Sequence, residues 1–198
     1  MKFYDFSKGV NEAELFYAYS PQSRTSNKFV LENDYIRNGE MPIADGAERC
    51  CHDYEHISLL TKEKYGVGTT VTLECDFKVM GAPLILFTND LIEIKGVQSY
   101  DRHIEVVVYD EGINVWDIVY APDKPERRYI MPKKIAFKKF EIPNGSRVTV
   151  SAKMLDKALY IVANGEELTV EIPDFYTSCY VGLTACEGIN RFYSLKVE

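Results

Sequence analysis

A chain of 198 residues with 30 Asp and Glu against 23 Lys and Arg carries a formal net charge of −7, which argues against non-specific binding to nucleic acid or an anionic membrane. At 46% hydrophobic and 27% charged residues, without a low-complexity tract, the composition excludes a disordered or fibrous chain. One domain spanning residues 1–198 is the expectation, because no Gly/Ser/Pro-rich linker divides the chain.

In chain order, the first segment offers short extended runs at Phe3–Phe6, Glu14–Ala18 and Lys28–Glu32, read as edge strands. Asn11–Ser20 and Ile57–Tyr65 are the only stretches with a modest helical period. Between them lies Cys50-Cys51-His52 with His56. Adjacent cysteines present two thiolates poorly to one zinc and no second pair follows at finger spacing, so no metal is expected. Five cysteines form an odd set without a disulfide spacing, and the N-terminus lacks an apolar signal region. Reduced thiols in the cytoplasm are therefore the expected state.

From Gly68 onward the pattern is strand, turn, strand. Val71, Leu73, Cys75, Phe77 and Val79 alternate with Thr72, Glu74, Asp76 and Lys78 at a clean period of two. Strands then follow at Leu84–Thr88, His103–Tyr109 and Ile113–Tyr120. Asn89-Asp90, after the first of these, reads as turn chemistry rather than as a calcium or sugar ligand. Ala121–Pro132 reads as a long loop, and the cations Arg127, Arg128, Lys133, Lys134, Lys138 and Lys139 as a solvated, charged edge. Ile135–Ile142, Arg147–Lys153, Ala158–Ala163, Leu168–Ile172, Cys179–Ala185 and Phe192–Val197 complete the series, with turns at Pro143-Asn144-Gly145 and Asn164-Gly165. Strands at this even spacing, with no helices between them, predict an all-β antiparallel two-sheet sandwich of jelly-roll type.

The tetrapeptide Glu-Gly-Ile-Asn occurs twice, at Glu111–Asn114 and Glu187–Asn190, each time between strand-like runs. In the first hairpin a three-residue loop would set Glu105 opposite Asp117, a destabilising pair. A four-residue loop, Asp110–Ile113, is preferred; it sets Tyr109 opposite Asn114, Val107 opposite Trp116 and His103 opposite Tyr120. One face then carries Ile104, Val106, Val108, Val115 and Val119. The other carries His103, Glu105, Tyr109, Asn114, Trp116 and Tyr120. Rings with carboxylate, amide and imidazole groups suit a sugar, whose apolar face stacks and whose hydroxyls hydrogen-bond. The same face could equally pack against the N-terminal segment or the 121–132 loop, and the residues alone leave both readings open. At the second copy, Arg191 is a candidate for holding a sugar hydroxyl or carboxylate, against the plainer reading that it pairs with Glu187.

His103–Trp116, Pro143–Val150, Leu159–Val170 and Tyr180–Val197 together resemble the concanavalin A-like lectin and glucanase sandwiches, which include laminin-G-type, galectin-like and glycosidase members. The likeness covers roughly residues 68–198. It implies a carbohydrate partner. For hydrolysis the natural carboxyl pair is Glu105 with Glu187, with Asp110, Glu111 or Asp117 as substitutes. The Glu-x-Asp-x-x-Glu pattern of one glucanase branch is absent, since the strand reads Glu105-Val106-Val107-Val108-Tyr109-Asp110. A lyase using His103 and a Tyr is the other catalytic option. No P-loop, dinucleotide fingerprint or nucleophile elbow occurs, so no cofactor is expected. The sequence thus points first to a carbohydrate-binding protein, next to a glycoside hydrolase or polysaccharide lyase, and third to a self-associating structural module, for which a homodimer through a sheet face or edge is the expected form.

Overall fold

The computed structural model describes residues 1–23, 26–39, 56–78 and 80–198. Cys50, Cys51 and His52 lie outside the described residues. The N-terminal strands are β1 (Lys2–Asp5), β2 (Leu15–Tyr19), β3 (Val30–Glu32), β4 (Tyr35–Arg37), β5 (Ile57–Thr61) and β6 (Tyr65–Gly66). Next come β7 (Thr70–Lys78), β8 (Leu84–Thr88), β9 (Leu91–Ile94), β10 (Val97–Tyr100), β11 (His103–Tyr109) and β12 (Gly112–Tyr120). The remainder is β13 (Ile130–Lys139), β14 (Val148–Leu155), β15 (Ala158–Ala163), β16 (Glu166–Glu171), β17 (Ser178–Ala185) and β18 (Ile189–Val197).

Two antiparallel sheets face each other. The first runs β16-β15-β14-β7-β18-β4-β3, with β1 also on β18; the second runs β13-β12-β11-β8-β17-β5-β2, with β6 also on β17. The alternation of β7 puts Val71, Leu73, Cys75 and Phe77 between the sheets, against Ile85, Phe87, Ile104, Val106 and Val115 of the second sheet. Phe87 and Phe192 are fully buried there; truncating either to Ala would cost about 3–5 kcal/mol.

Neither helical stretch forms a helix. Asn11–Ser20 contains β2 and Ile57–Tyr65 contains β5, all five of whose residues are buried. A strand covered on both faces loses its alternation and reads as an unbroken apolar run, the ambiguous case for periodicity. The 121–132 loop is shorter than expected. A single 3-10 turn at Pro125–Arg127 leads directly into β13, which ends the sheet and so tolerates Pro132 within it.

The β11–β12 hairpin closes with two residues, Asp110 and Glu111, not four. Tyr109 pairs with Gly112, Val107 with Asn114, Glu105 with Trp116 and His103 with Ile118. Gly112 explains the tight closure. It holds φ 127°, and a Cβ on it would lie 2.1 Å from the carbonyl oxygen of Lys138. The difference from the expected register is two residues, so every side chain keeps its face. Asp117 is satisfied by Arg102, whose Nε and Nη2 donate to its two carboxylate oxygens at 3.0 and 2.9 Å.

The hairpin of β9 and β10 was not legible beforehand. Its turn, Lys95 at φ 52° and Gly96 at φ 78°, has both central residues left-handed, the geometry that matches strand twist. Ser99 of β10 donates from Oγ to the Tyr19 carbonyl at 2.7 Å, which ties the hairpin to β2 and carries Tyr100 over the outer face of the second sheet.

Candidate functional site

Pairing registers lay out the outer face of the second sheet as rows across the strands. One row reads Lys134, Trp116, Glu105, Leu86, Gly182, Leu60, Phe16. The next reads Phe137, Asn114, Val107, Leu84, Thr184, Ser58, Ala18. On the other side of Glu105 lies a row of Pro132, Ile118, His103, Thr88 and Tyr180. A bulge in β13 opposite Val115/Trp116 sets Lys134 across from Trp116, where its ammonium sits 5.0 Å from the indole ring. The face therefore mixes an aliphatic centre with a polar stripe.

That stripe is buried although it lies outside the two-sheet core. His103 is 0% exposed and Glu105 5%. Nδ1 of His103 stands 2.9 Å from the Asp101 carbonyl oxygen, which can only accept, so this nitrogen carries a proton. Nε2 then faces Oε1 of Glu105 at 3.2 Å, without the angles of a hydrogen bond. The imidazole and the carboxylate thus stand side by side in a buried setting, two groups of the types that serve in acid–base chemistry.

Tyr100 covers this pair. Its ring meets the His103 ring edge-on at 4.6 Å, and its hydroxyl shares a hydrogen bond with Ser58 Oγ at 2.9 Å. Ser58 in turn shares one with Thr184 Oγ1 at 2.8 Å. Burial, reinforced by the Glu105 charge, pushes the Tyr100 phenol above its ordinary pKa. His56 completes the cluster. Its Nδ1 accepts from the Gln22 amide nitrogen at 3.3 Å, and its Nε2 lies 3.9 Å from Cys186 Sγ. Burial lowers its pKa to about 4 despite the opposing pull of Glu105, with His103 and Arg128 adding to the depression.

Of the buried polar atoms without a hydrogen-bond partner among the described residues, four belong to this side of the molecule. They are Nε2 of His103, Oε1 of Glu105 and Oδ1 of Asn114, on the neighbouring strands β11 and β12, and Oγ of Ser20, just past β2 at the far side of the sheet. Such atoms are costly when left unmade, and the three on β11 and β12 are groups of the kind a ligand satisfies. A groove of about 640 Å³ has Ser20, Gln22, Ser99, Tyr120, Arg128 and Tyr129 in its walls; His103, Glu105 and Asn114 are not among the described residues that line it. No group of three or more metal-ligating side chains occurs among the described residues.

The second tetrapeptide belongs elsewhere. Glu187 sits in the β17–β18 turn at φ 55°, five residues beyond Gly182, which shares the Glu105 row. That spacing is about 16 Å along the strand. Glycosidase carboxyl pairs stand about 5 to 9.5 Å apart, so Glu105 and Glu187 are not brought together. Arg191 lies on the first sheet, paired across strands with Asp76. Its Nη1 approaches the Asp76 carboxylate at 3.5 Å, and its guanidinium lies 5.3 Å from the Tyr35 ring. Asn190 is fully buried; its amide donates to the Glu187 carbonyl at 2.7 Å and its backbone N–H to Asn38 Oδ1 at 2.8 Å. Tyr109, packed beside Phe137, closes one end of the outer face, and Tyr120 opens on the groove at the other.

No protein-family model matches the chain, and a comparison with curated proteins finds no match. Solved structures do match. A protein of unknown function with galectin-like fold from Bacillus subtilis has a TM-score of 0.62 at 12% identity, over 100% of this chain and 94% of that one. The fold is that of the concanavalin A-like sandwiches. Within that fold, a beta-porphyranase from Bacteroides plebeius aligns with a TM-score of 0.59 at 9% identity, covering 100% of this chain and 92% of that one. A carbohydrate-binding module from Bacillus subtilis aligns with a TM-score of 0.55 at 13% identity, covering 72% and 81%. Among the described residues, no helix of this concanavalin A-like sandwich is long and apolar enough to cross a membrane.

Sequence reasoning missed Ser58, Tyr100 and Thr184, and named His56 only beside Cys50-Cys51-His52 as a weak metal candidate and Arg128 only within a basic cluster; Ser58, Tyr100, Thr184 and His56 meet their partners through pairings 42 to 130 residues apart.

Proposed function

We propose that the chain binds a carbohydrate on the outer face of the second sheet, around Glu105, His103, Asn114 and Trp116. The observation that carries this reading is the cluster of buried, unpartnered polar atoms on a sheet face that the sandwich core does not use. Sugar hydroxyls supply both donors and acceptors, and would satisfy a carboxylate, an amide oxygen and an imidazole together. Trp116, half-buried beside Glu105, offers a ring for stacking. The presence of carbohydrate-binding and glycan-cleaving proteins among the structural neighbours agrees with it.

Trp116 is the only tryptophan, so its emission reports on this face alone. Titration with an oligosaccharide that binds should shift or quench that emission. Trp116→Ala should weaken the same ligand by about 10- to 100-fold while the fold survives. If no mono- or oligosaccharide changes the emission or the melting temperature, the reading is wrong.

A second reading, hydrolysis or elimination, draws on the His103–Glu105 contact. Should oligosaccharide be cleaved, Glu105→Gln is expected to lower turnover by at least about 100-fold and leave binding in place. A reducing-end assay on both proteins decides this, and equal turnover would remove Glu105 from any catalytic role.

A further inference from the structure

Two strand edges of opposite charge lie on one rim of the sandwich. β13 ends the second sheet and β16 ends the first, and among the described residues no strand pairs with the outer edge of either. β13 carries Lys133, Lys134, Lys138 and Lys139 and no carboxylate, whereas β16 carries Glu166, Glu167 and Glu171 and no cation. The edges meet at one point, where Lys138 Nζ reaches Glu166 Oε2 at 2.8 Å and donates to the Glu167 carbonyl oxygen at 2.9 Å. That contact joins the end of β13 to the start of β16, so the two edges run in opposite directions along the rim.

Their side chains match in spacing as well as in charge. Trp116 pairs with Lys134 and Val115 with Ala136, so the bulge takes Ile135 out of the pleat. Lys134, Phe137 and Lys139 therefore stand at successive outward positions, opposite Trp116, Asn114 and Gly112. On β16 the outward positions are Glu167, Thr169 and Glu171, since Leu168 and Val170 pack on the core. All six outward side chains are exposed. Laid side by side antiparallel, the two triplets set Lys134 against Glu171, Phe137 against Thr169 and Lys139 against Glu167. Lys134 is steadied over the rings of Trp116 and Phe137, and Glu167 accepts from the Tyr160 hydroxyl. Neither contact neutralises the charge.

Within one chain the two edges belong to different layers and cannot pair in this way. A two-fold rotation about an axis along the strands, placed between the layers, sets the first sheet of one copy level with the second sheet of the other. β13 of each copy then lies beside β16 of its partner, still antiparallel and with outward side chains on a common face. We infer that this rim is the interface of a homodimer in which each sheet continues, strand to strand, into the opposite sheet of a second copy. Two Lys–Glu pairs form at each of the two equivalent pairings, and opposite charges set across strands stabilise where like charges repel. Both edges of the rim are used, so assembly closes at two copies. The inference is independent of the carbohydrate reading.

The test is sedimentation of the full chain. At about 0.1 mM it should return a dimer, since contacts of this kind hold in the micromolar range or better, and the dimer should weaken as salt rises. Lys134→Glu with Lys139→Glu sets glutamate against glutamate; Glu167→Lys with Glu171→Lys sets lysine against lysine. Each double variant should raise the dimer Kd at least about tenfold. Mixing the two restores opposite charges at both pairings, so the mixture should return a heterodimer, which a folding defect in either chain would not produce. A wild-type chain that stays monomeric would overturn the interface, as would a dimer that salt and both double variants leave intact. Two variants that are folded by circular dichroism and monomeric alone, yet stay monomeric when mixed, would overturn it as well.

Discussion

Gly182→Ala is expected to destabilise the protein by about 3 kcal/mol or more, because the added methyl has nowhere to go. A Cβ at this position would lie 1.9 Å from the carbonyl oxygen of Leu59 and 2.9 Å from its carbonyl carbon. Both are backbone atoms of the neighbouring strand, so no rotamer change relieves the overlap. β5 would have to move away from β17, and with it the pairing that sets Ser58 opposite Thr184. The melting temperature should fall by roughly 10 °C, as expected for a chain of this size. Any surviving folded protein should also lose saccharide binding, since Tyr100 depends on Ser58 for its place over His103. A variant that melts with the wild type would show that β5 and β17 do not approach this closely.

Acid should destabilise the fold through His56. Its folded-state pKa is depressed from 6.5 to about 4 by burial. Between these values the unfolded chain binds a proton that the folded chain does not, so stability falls as pH falls through this window. The contribution is fully present above about pH 6.5 and lost by about pH 4, amounting to about 3 kcal/mol. Glu105, which attracts the proton, and His103 and Arg128, which repel it, are the charged groups that set the depression along with burial. His56→Gln should remove this part of the pH dependence. Urea unfolding of both proteins at pH 7.5, 6, 5 and 4.5 measures it. Curves for wild type and variant that stay parallel across the window would show that His56 is protonated in the folded state.

The sheet faces were legible because a strand's period of two survives register error. The β11–β12 loop proved two residues shorter than expected, yet His103, Glu105, Asn114 and Trp116 still share a face because the slip was even. An odd slip would have put them in the core. What local pattern could not show was the cover. Lys95-Gly96 is a weaker hairpin signal than Asn-Gly, so β9 and β10 passed as connecting chain and Tyr100 went unnoticed. The repeated tetrapeptide misled for a physical reason. Glu-Gly-Ile-Asn marks a reversal between strands, but a reversal does not say which sheet the second strand joins. The first copy stays within the second sheet, while the second passes from β17 in one sheet to β18 in the other. Arg191 and the candidate partner Glu187 were carried away from Glu105 by that crossover.

The lysines of β13 have a consequence for solubility. This ten-residue strand ends its sheet and carries Phe137 and Met131 at 44% and 42% exposure, features that invite a second chain to pair along it. Two copies meeting antiparallel would bring eight ammonium groups into one strip, from Lys133, Lys134, Lys138 and Lys139 of each. The repulsion opposes edge-to-edge fibril growth along this strand, and neutralising these lysines should raise the light scattering of a concentrated sample above that of the unaltered chain.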